Sequence, residues 1–346
     1  MRRAIFFISI DGQDVTSNFD SHLIRLQIKL SDGGESDTCD ITLDDSYGQL
    51  KLPREDAEIT AMLSWSDGGG SVVFHGKTDE PESEGSRGQG MILNITARAA
   101  DMKGKTKEKQ ETHKDESSFE DVAKEWGEKA GLQVKVSGKI AQKKRDYWAM
   151  HNENFMSWGS RMAEELGATF KIMGKKAIFV PRNSNDSAGG IALGMVNATY
   201  GENLINWRIV PVTNRPRFNR SVVRWYDRKE AKWMRETVEI SDQTARVPLV
   251  ETKKFADKDR ANDRAESNAE EAKRGKGGGQ VTIDGDPNAQ AQALCMVAGV
   301  RPGIDGMYRI TMATHNFTRE SGWTTTCDLE QPQGDAGSDS REASGK

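Results

Sequence analysis

The residues able to do chemistry are few and badly spaced for it. The five histidines (His22, His75, His113, His151 and His315) are scattered, none has a second ligand three or four positions on, and HExxH is absent. That excludes the helical two-histidine zinc pattern. His151, in the run His151-Asn152-Glu153-Asn154, has the chemistry of an acid–base group, but it stands just before a helical pattern, where capping or packing is the expected role. Cys39, Cys295 and Cys327 are odd in number, far apart and free of any CxxC pairing, as buried thiols of a reducing compartment would be. No GxSxG elbow or SxxK pair supplies a serine nucleophile. The glycine-rich run from Arg274 to Gly279 lacks phosphate-loop spacing and follows a helix instead of opening one, so it reads as a connector. Asp32-Gly33-Gly34 and Asp284-Gly285-Asp286 lack the further oxygen ligands of a calcium loop and read as turns. Glu164 and Glu165 are adjacent on one helix, so they diverge by about 100° and cannot flank one glycosidic bond; both are expected on its exposed side. No catalytic residue, cofactor or metal ligand is therefore assigned, and the chain is expected to act through interfaces.

Eight tryptophans offer either a stacking platform or core and subunit contacts. Trp126 and Trp158 fall on predicted helix faces, and Trp65 and Trp323 on inward strand positions, which favours the second use. The 346 residues are polar for their number: 35% hydrophobic, 29% charged, with mean hydropathy -0.71, a balance that suits several small cores with much exposed surface. Basic and acidic residues nearly cancel to a net charge of -4, so no global excess advertises nucleic acid or an anionic membrane. The apolar run after Met1-Arg2-Arg3 is too short for a signal segment, and no stretch approaches the roughly 18 apolar residues of a spanning helix. A soluble protein made in the cytoplasm, with no membrane anchor, is expected.

The periodicities place these residues on three regions. Over 1–100 the runs Ile24 to Leu30, Ile59 to Trp65 and Met91 to Ala97 alternate apolar and polar, with turn clusters between them, as in an antiparallel sandwich or barrel. Residues 101–116 are charged without periodicity and read as a linker or surface loop. Phe119, Val122, Ala123, Trp126 and Ala130 then share one helix face, capped by Ser117 or Ser118 and closed by Gly131. A strand to Val136, a charged loop, a second helix over about Asn154 to Leu166 closed by Gly167, and strands over Thr169 to Val180 complete an α+β insert spanning 101–185. A linker over 182–190 leads to a second β region, 186–330, with strands at Leu204 to Val210, Ser221 to Tyr226, Trp233 to Ile240, Tyr308 to Thr314 and Trp323 to Leu329. It carries one polar helix at about 257–273 whose narrow face is Ala261, Ala265, Ala269 and Ala272. Residues 331–346 are expected to be a disordered tail. The fold class is thus α+β, mainly β, with two antiparallel β domains flanking a small insert.

Three ordered segments resemble the phage late control D family, the hub proteins of contractile tails. The first is Ile8-Ser9-Ile10-Asp11-Gly12-Gln13-Asp14-Val15-Thr16 with Leu26-Gln27-Ile28 and Asp40-Ile41-Thr42-Leu43 after it. The second runs from His151, Glu153 and Phe155 through Arg161-Met162-Ala163-Glu164-Glu165-Leu166-Gly167-Ala168. The third is Gly299 to Ile310, including Gly303 and Gly306, with His315-Asn316-Phe317 and Gly322-Trp323-Thr324-Thr325. One departure stands out: many members of that family have a glycine after the position of Leu52-Pro53, where this chain has Arg54-Glu55-Asp56.

The resemblance implies a structural, non-enzymatic hub. It would be a homotrimer in which two tube-like β domains per chain form a pseudo-hexameric ring between a hexameric tail tube and a trimeric central spike. The insert would sit outside the ring. Baseplate wedge and tape measure proteins would be further partners, DNA would only pass through the lumen, and the site would be the virion tail, assembled in the bacterial host cytoplasm. A tail-associated peptidoglycan hydrolase and the hub portion of a type VI secretion-like spike are the alternatives. Because the pattern stops near residue 330, the spike is expected to be a separate polypeptide.

Overall fold

The computed structural model describes residues 2–33, 36–88, 90–99, 105–182, 193–210, 218–240, 245–274, 277–333 and 336. The N-terminal part is β1 (Ala4–Ile10), β2 (Gln13–Asp14), the short α1 (Thr16–Asp20), β3 (Leu23–Ser31), β4 (Thr38–Asp44), β5 (Glu58–Trp65), β6 (Ser71–Thr78), β7 (Glu82–Ser86) and β8 (Gly90–Arg98). Alternating side chains bury one face around Ile8, Leu26, Ile28, Ile41, Leu63 and Ile95. The period slips once. A bulge between Leu23 and Arg25 turns Leu23 inward and leaves Ile24 45% exposed, so Ile24 is not part of the inward row that its spacing predicts.

The insert comprises β9 (Gln110–Ser118), α2 (Phe119–Lys129), β10 (Gln133–Val136), β11 (Lys144–Glu153), α3 (Phe155–Leu166), β12 (Ala168–Met173) and β13 (Lys176–Pro181). Ser118 caps α2 by accepting the Asp121 amide, and Asn154 caps α3 by accepting that of Ser157 at 2.8 Å. Gly167 ends α3 at φ 63°, the left-handed conformation that favours glycine. Both helices bury their apolar stripe in an aromatic core of Phe119, Trp126, Trp148, Phe155, Trp158, Phe170 and Phe179. Part of the segment expected to be a linker, and the segment expected to be a charged loop, are instead β9 and β11, an antiparallel pair. The ladder satisfies their backbones, and Arg145, Trp148, Ala149 and Met150 point inward while the outer side chains stay solvated.

The C-terminal part holds β14 (Met195–Thr199), β15 (Leu204–Val210), β16 (Phe218–Asp227), β17 (Lys232–Glu239), β18 (Val247–Phe255), α4 (Lys258–Arg274), β19 (Gly278–Asp284), β20 (Leu294–Ala298), β21 (Gly306–Thr318) and β22 (Gly322–Gln333). It divides into two bodies. Strands β14, β15 and β19 to β22 enclose a core of Val196, Val281, Cys295, Tyr308 and Ile310. Strands β17-β16-β18 form a separate three-stranded sheet against α4, over the small core Val223, Phe255, Ala261 and Ala265. The second β region is therefore not one body. The face of α4 also holds more than alanine: Asp263, Ser267, Asn268 and Arg274 are buried on it. Strand β22 extends to Gln333, and Ala336 packs on the C-terminal core, so this part of the expected tail is ordered. The rest of that tail, residues 183–190 of the expected linker, and Gly275-Lys276 lie outside the described residues.

The N- and C-terminal β parts are one sheet. Its order is β15-β19-β22-β21-β3-β4-β8-β6-β5-β1-β2, and the join is an antiparallel ladder from Met312–Ser31 to Thr318–Arg25. Behind the join, Trp65 donates from Nε1 to the Gly285 carbonyl at 2.9 Å and lies 5.3 Å from the Trp323 ring. A Cβ on Gly285 would come within 2.2 Å of Trp323, so only glycine fits there. Replacing the fully buried Trp158 by alanine should cost the insert about 3–5 kcal/mol in chemical denaturation, with loss of the near-UV aromatic signal.

Candidate functional site: charged junctions and open sheet edges

The family-motif residues do not gather into one site. Asp11 and Gly12 (φ 49° and 77°) form the tight turn after β1, and Asp11 receives a bidentate pair from Arg54 at 2.9 Å plus the Glu58 amide at 3.0 Å. The Arg54 hydrogen bond, then the Glu58 amide, hold the Asp11 carboxyl below its ordinary value. This settles the departure at Arg54-Glu55-Asp56: Arg54 ties the loop to Asp11, and Asp56 itself takes the left-handed φ of 60°. His151, expected to cap or to pack, is exposed near the end of β11, and the cap of α3 is made by Asn154. Glu153 pairs with Arg161 across the start of α3, and Phe155 and Ala168 are core. Gly303 and Gly306 occupy positive-φ positions, and Gly322 turns the hairpin from β21 to β22.

His315 is a buried structural group. One ring nitrogen lies 3.0 Å from Thr325 Oγ1 and the other 2.9 Å from the Ala289 carbonyl. Burial lowers its pKa to about 4. The cysteines are also inert as nucleophiles, since burial raises all three thiols, that of Cys295 to about 12. Among the described residues no group of three or more His, Cys, Asp or Glu side chains is placed to hold a metal ion.

The notable polar groups lie where the bodies meet. Asp32, just past β3, receives Arg274 of α4 at 2.9 Å, the Thr169 hydroxyl of β12 at 2.7 Å and the Gln292 amide. Thus one carboxylate joins the N-terminal sheet, the insert, α4 and the C-terminal body. Arg274 Nε approaches Glu330 to 2.6 Å as an ion pair without hydrogen-bond alignment, and burial, outweighing Arg274, raises the Glu330 pKa. Lys171 of the insert reaches Asp37 at 2.8 Å beside the same join. The second junction ties the insert to α4. Arg145 bridges Glu165 at 2.9 Å and Asp263 at 3.3 Å while lying over the Trp148 ring, and Arg264 binds both Glu164 and Glu251. Glu165 is therefore buried, contrary to its expected exposure: α4 covers that side of α3, and Arg145 supplies the countercharge. Sequence reading missed these residues because they are isolated charges brought together over more than a hundred positions; the arginine in a predicted loop beside Trp148 was the available signal.

The other feature is the sheet's unused edges. Strand β15 pairs only with β19 among the described residues, yet it exposes Ile205 (52%), Trp207 (39%) and Val210 (50%). Tyr200 packs edge-on against Trp207 beside it. A bare apolar edge of this kind pairs with other chains unless it is covered. At the far end, β1 is bonded on its outer side only at Ser9 and Ile10, to β2.

Comparison with known proteins gives this geometry a context. No family model matches the chain. It is 25% identical over 235 residues to the probable baseplate hub protein of Escherichia phage 186, covering 68% of this chain and 59% of that protein. Over 197 residues it is likewise 25% identical to the probable baseplate hub protein of Escherichia phage P2, covering 57% of this chain and 50% of that one. The chain is a homologue of phage proteins named as probable baseplate hubs. It spans about half to three-fifths of the length of those relatives. Its mainly β, α+β fold is that of tail proteins. The 43 kDa tail protein of prophage MuSo2 from Shewanella oneidensis superposes with TM-score 0.68 at 14% identity, covering 94% of this chain and 97% of that one. A type VI secretion component of E. coli matches with TM-score 0.57 at 11% identity, covering 96% and 79%. No helix among the described residues is long and apolar enough to cross a membrane.

Two outcomes check the structural roles. Arg145→Met leaves Asp263 with Lys143 and Glu165 with Arg161 as their remaining cations and should cost roughly 1–3 kcal/mol in urea denaturation; an unchanged midpoint would show the junction to be idle. For His315 the folded pKa lies below the unfolded value of 6.5, so its contribution is intact above pH 6.5. It is lost as pH falls towards 4, because only the unfolded chain takes up the proton. The loss approaches about 3 kcal/mol, and a His315→Gln chain should lack that part of the acid slope in denaturation curves taken between these pH values.

Proposed function

We propose that the chain is a structural, non-enzymatic hub of a phage-type tail baseplate, active as a homotrimer. The observation that carries this reading is the single sheet in which two β parts lie side by side with an open edge at each end. Three such chains present six β units. A ring of three can then meet a sixfold tail tube on one side and a threefold spike on the other. The exposed apolar residues of β15 suit a contact with the β1 end of the next copy, and the homology to phage hub proteins supports the same reading. The insert and the α4 body, fixed by the two charged junctions, lie to the side of the sheet and suit contacts with wedge or tape measure proteins. In this reading DNA passes through the lumen without base-specific contact, and the protein resides in the virion tail after assembly in the host cytoplasm.

Sedimentation separates this from a monomeric role. The wild-type chain should run as three copies of a 38.3 kDa subunit at micromolar concentration. Ile205→Asp with Trp207→Asp should give a folded monomer, since both residues are exposed in the single chain. A wild-type monomer, or a trimer indifferent to these changes, counts against the edge-to-edge ring. A zymogram on purified peptidoglycan should show no clearing; clearing would favour a hydrolase.

A further inference from the structure

The sheet β17-β16-β18 is covered by α4 on one face only, and its outer face carries an unusual row. Arg224 in the central strand lies directly opposite Arg235 on β17 and opposite Lys254 on β18. All three are exposed, and none has a carboxylate partner among the described residues. Like charges directly across a sheet repel, so such a row is stable only as a solvated face or beneath an anionic partner. One step along the same face, Tyr226 and the 53%-exposed Trp233 pack edge-to-face at 5.2 Å, and Lys254 lies 5.0 Å from the Trp233 ring. Arginine, tryptophan and tyrosine together are the residue types that dominate contact energies. Among the described residues β17 pairs only with β16.

The complementary array lies elsewhere on the chain. Among the described residues strand β7 is bonded only to β8, and it is exposed along its whole length. It carries Glu82 and Glu84 at alternate positions, with Glu80 just before it. Glu84 accepts one hydrogen bond from Asn94 at 3.2 Å, and no described ion pair neutralises any of the three. No described ion pair joins the acidic strand to the cation row within one chain.

We infer that the cation row and aromatic pair of one copy receive the acidic strand β7 of a neighbouring copy, with β7 lying across the outer face of the sheet so that Glu82 and Glu84 sit over Arg235 and Arg224. This rests on the hub reading, in which copies lie side by side, and adds a second, electrostatic contact to the apolar one at β15. Pairing opposite charges fixes partner and register, and it is weakened by salt.

A charge exchange tests it. Arg224→Glu with Arg235→Glu should weaken self-association about tenfold or more in sedimentation equilibrium, and Glu82→Arg with Glu84→Arg should do the same. A chain carrying all four changes should recover association, which unfolding of either variant cannot mimic. Wild-type association should also fall between about 50 mM and about 500 mM salt, and this dependence should vanish in either two-site variant. The inference is overturned if reversal of either array leaves association and its salt dependence unchanged, if the fourfold variant fails to recover, or if the wild-type chain does not self-associate at low salt. If reversal is silent while Ile205→Asp with Trp207→Asp still breaks the trimer, this contact fails and the hub reading stands. If the cation row binds single-stranded DNA in a fluorescence anisotropy titration and the Glu82 and Glu84 changes leave association intact, the occupant is a nucleic acid and not a second copy.

Discussion

The ladder between β3 and β21 is the constraint on which the rest depends. It pairs Arg25 to Ser31 with Met312 to Thr318, strands from opposite ends of the sequence. Without it the N- and C-terminal strands would lie in two separate sheets. With it they share one sheet, whose edge strands among the described residues are β14, β15, β7 and the β1 end. Trp65 and Trp323 secure the join from behind, and Gly285 yields the space that their contact requires. Contacts so distant in sequence are slow to form, so the insert, with its local helices and private aromatic core, is free to fold first.

The bodies around that sheet are joined by buried charged contacts. Asp32 gathers side chains from three other parts of the fold, and Arg145 gathers Glu165 and Asp263. Buried ion pairs add little net stability over apolar packing, but losing one partner is costly, so they act chiefly to fix orientation. In the proposed hub role, fixed orientation is the useful property. The polar composition also fits the separate cores found among the described residues, with charged contacts between them.

What was legible in the sequence followed local physics. The stripe of Phe119, Val122 and Trp126, the closing glycines Gly131 and Gly167, and the alternation of Ile59 to Trp65 each point to an element that the structure contains. At the start of α3, capping or packing was expected of His151, and the cap is made by Asn154 three residues on. The strands β9 and β11 were illegible because their order comes from pairing with each other and from Trp148, not from apolar alternation. Glu165 was misplaced for a related reason: its burial is dictated by α4, a hundred positions away. Nothing local separates a solvated glutamate from one that waits for Arg145. The motif residues lie at turns (Asp11, Gly12, Gly322), in the core (Phe155, Ala168) and in ion pairs (Glu153), and they do not mark the charged junctions.

The central claim is that this architecture serves assembly, as three copies imitating six. The most direct measurement is the copy number and position of the chain in intact tail particles, determined by electron cryo-microscopy. Three copies should form a ring on the tail axis between tube and spike, with β15 of each against the β1 end of the next. A single copy, or copies bound off the axis with β15 exposed to solvent, would contradict it.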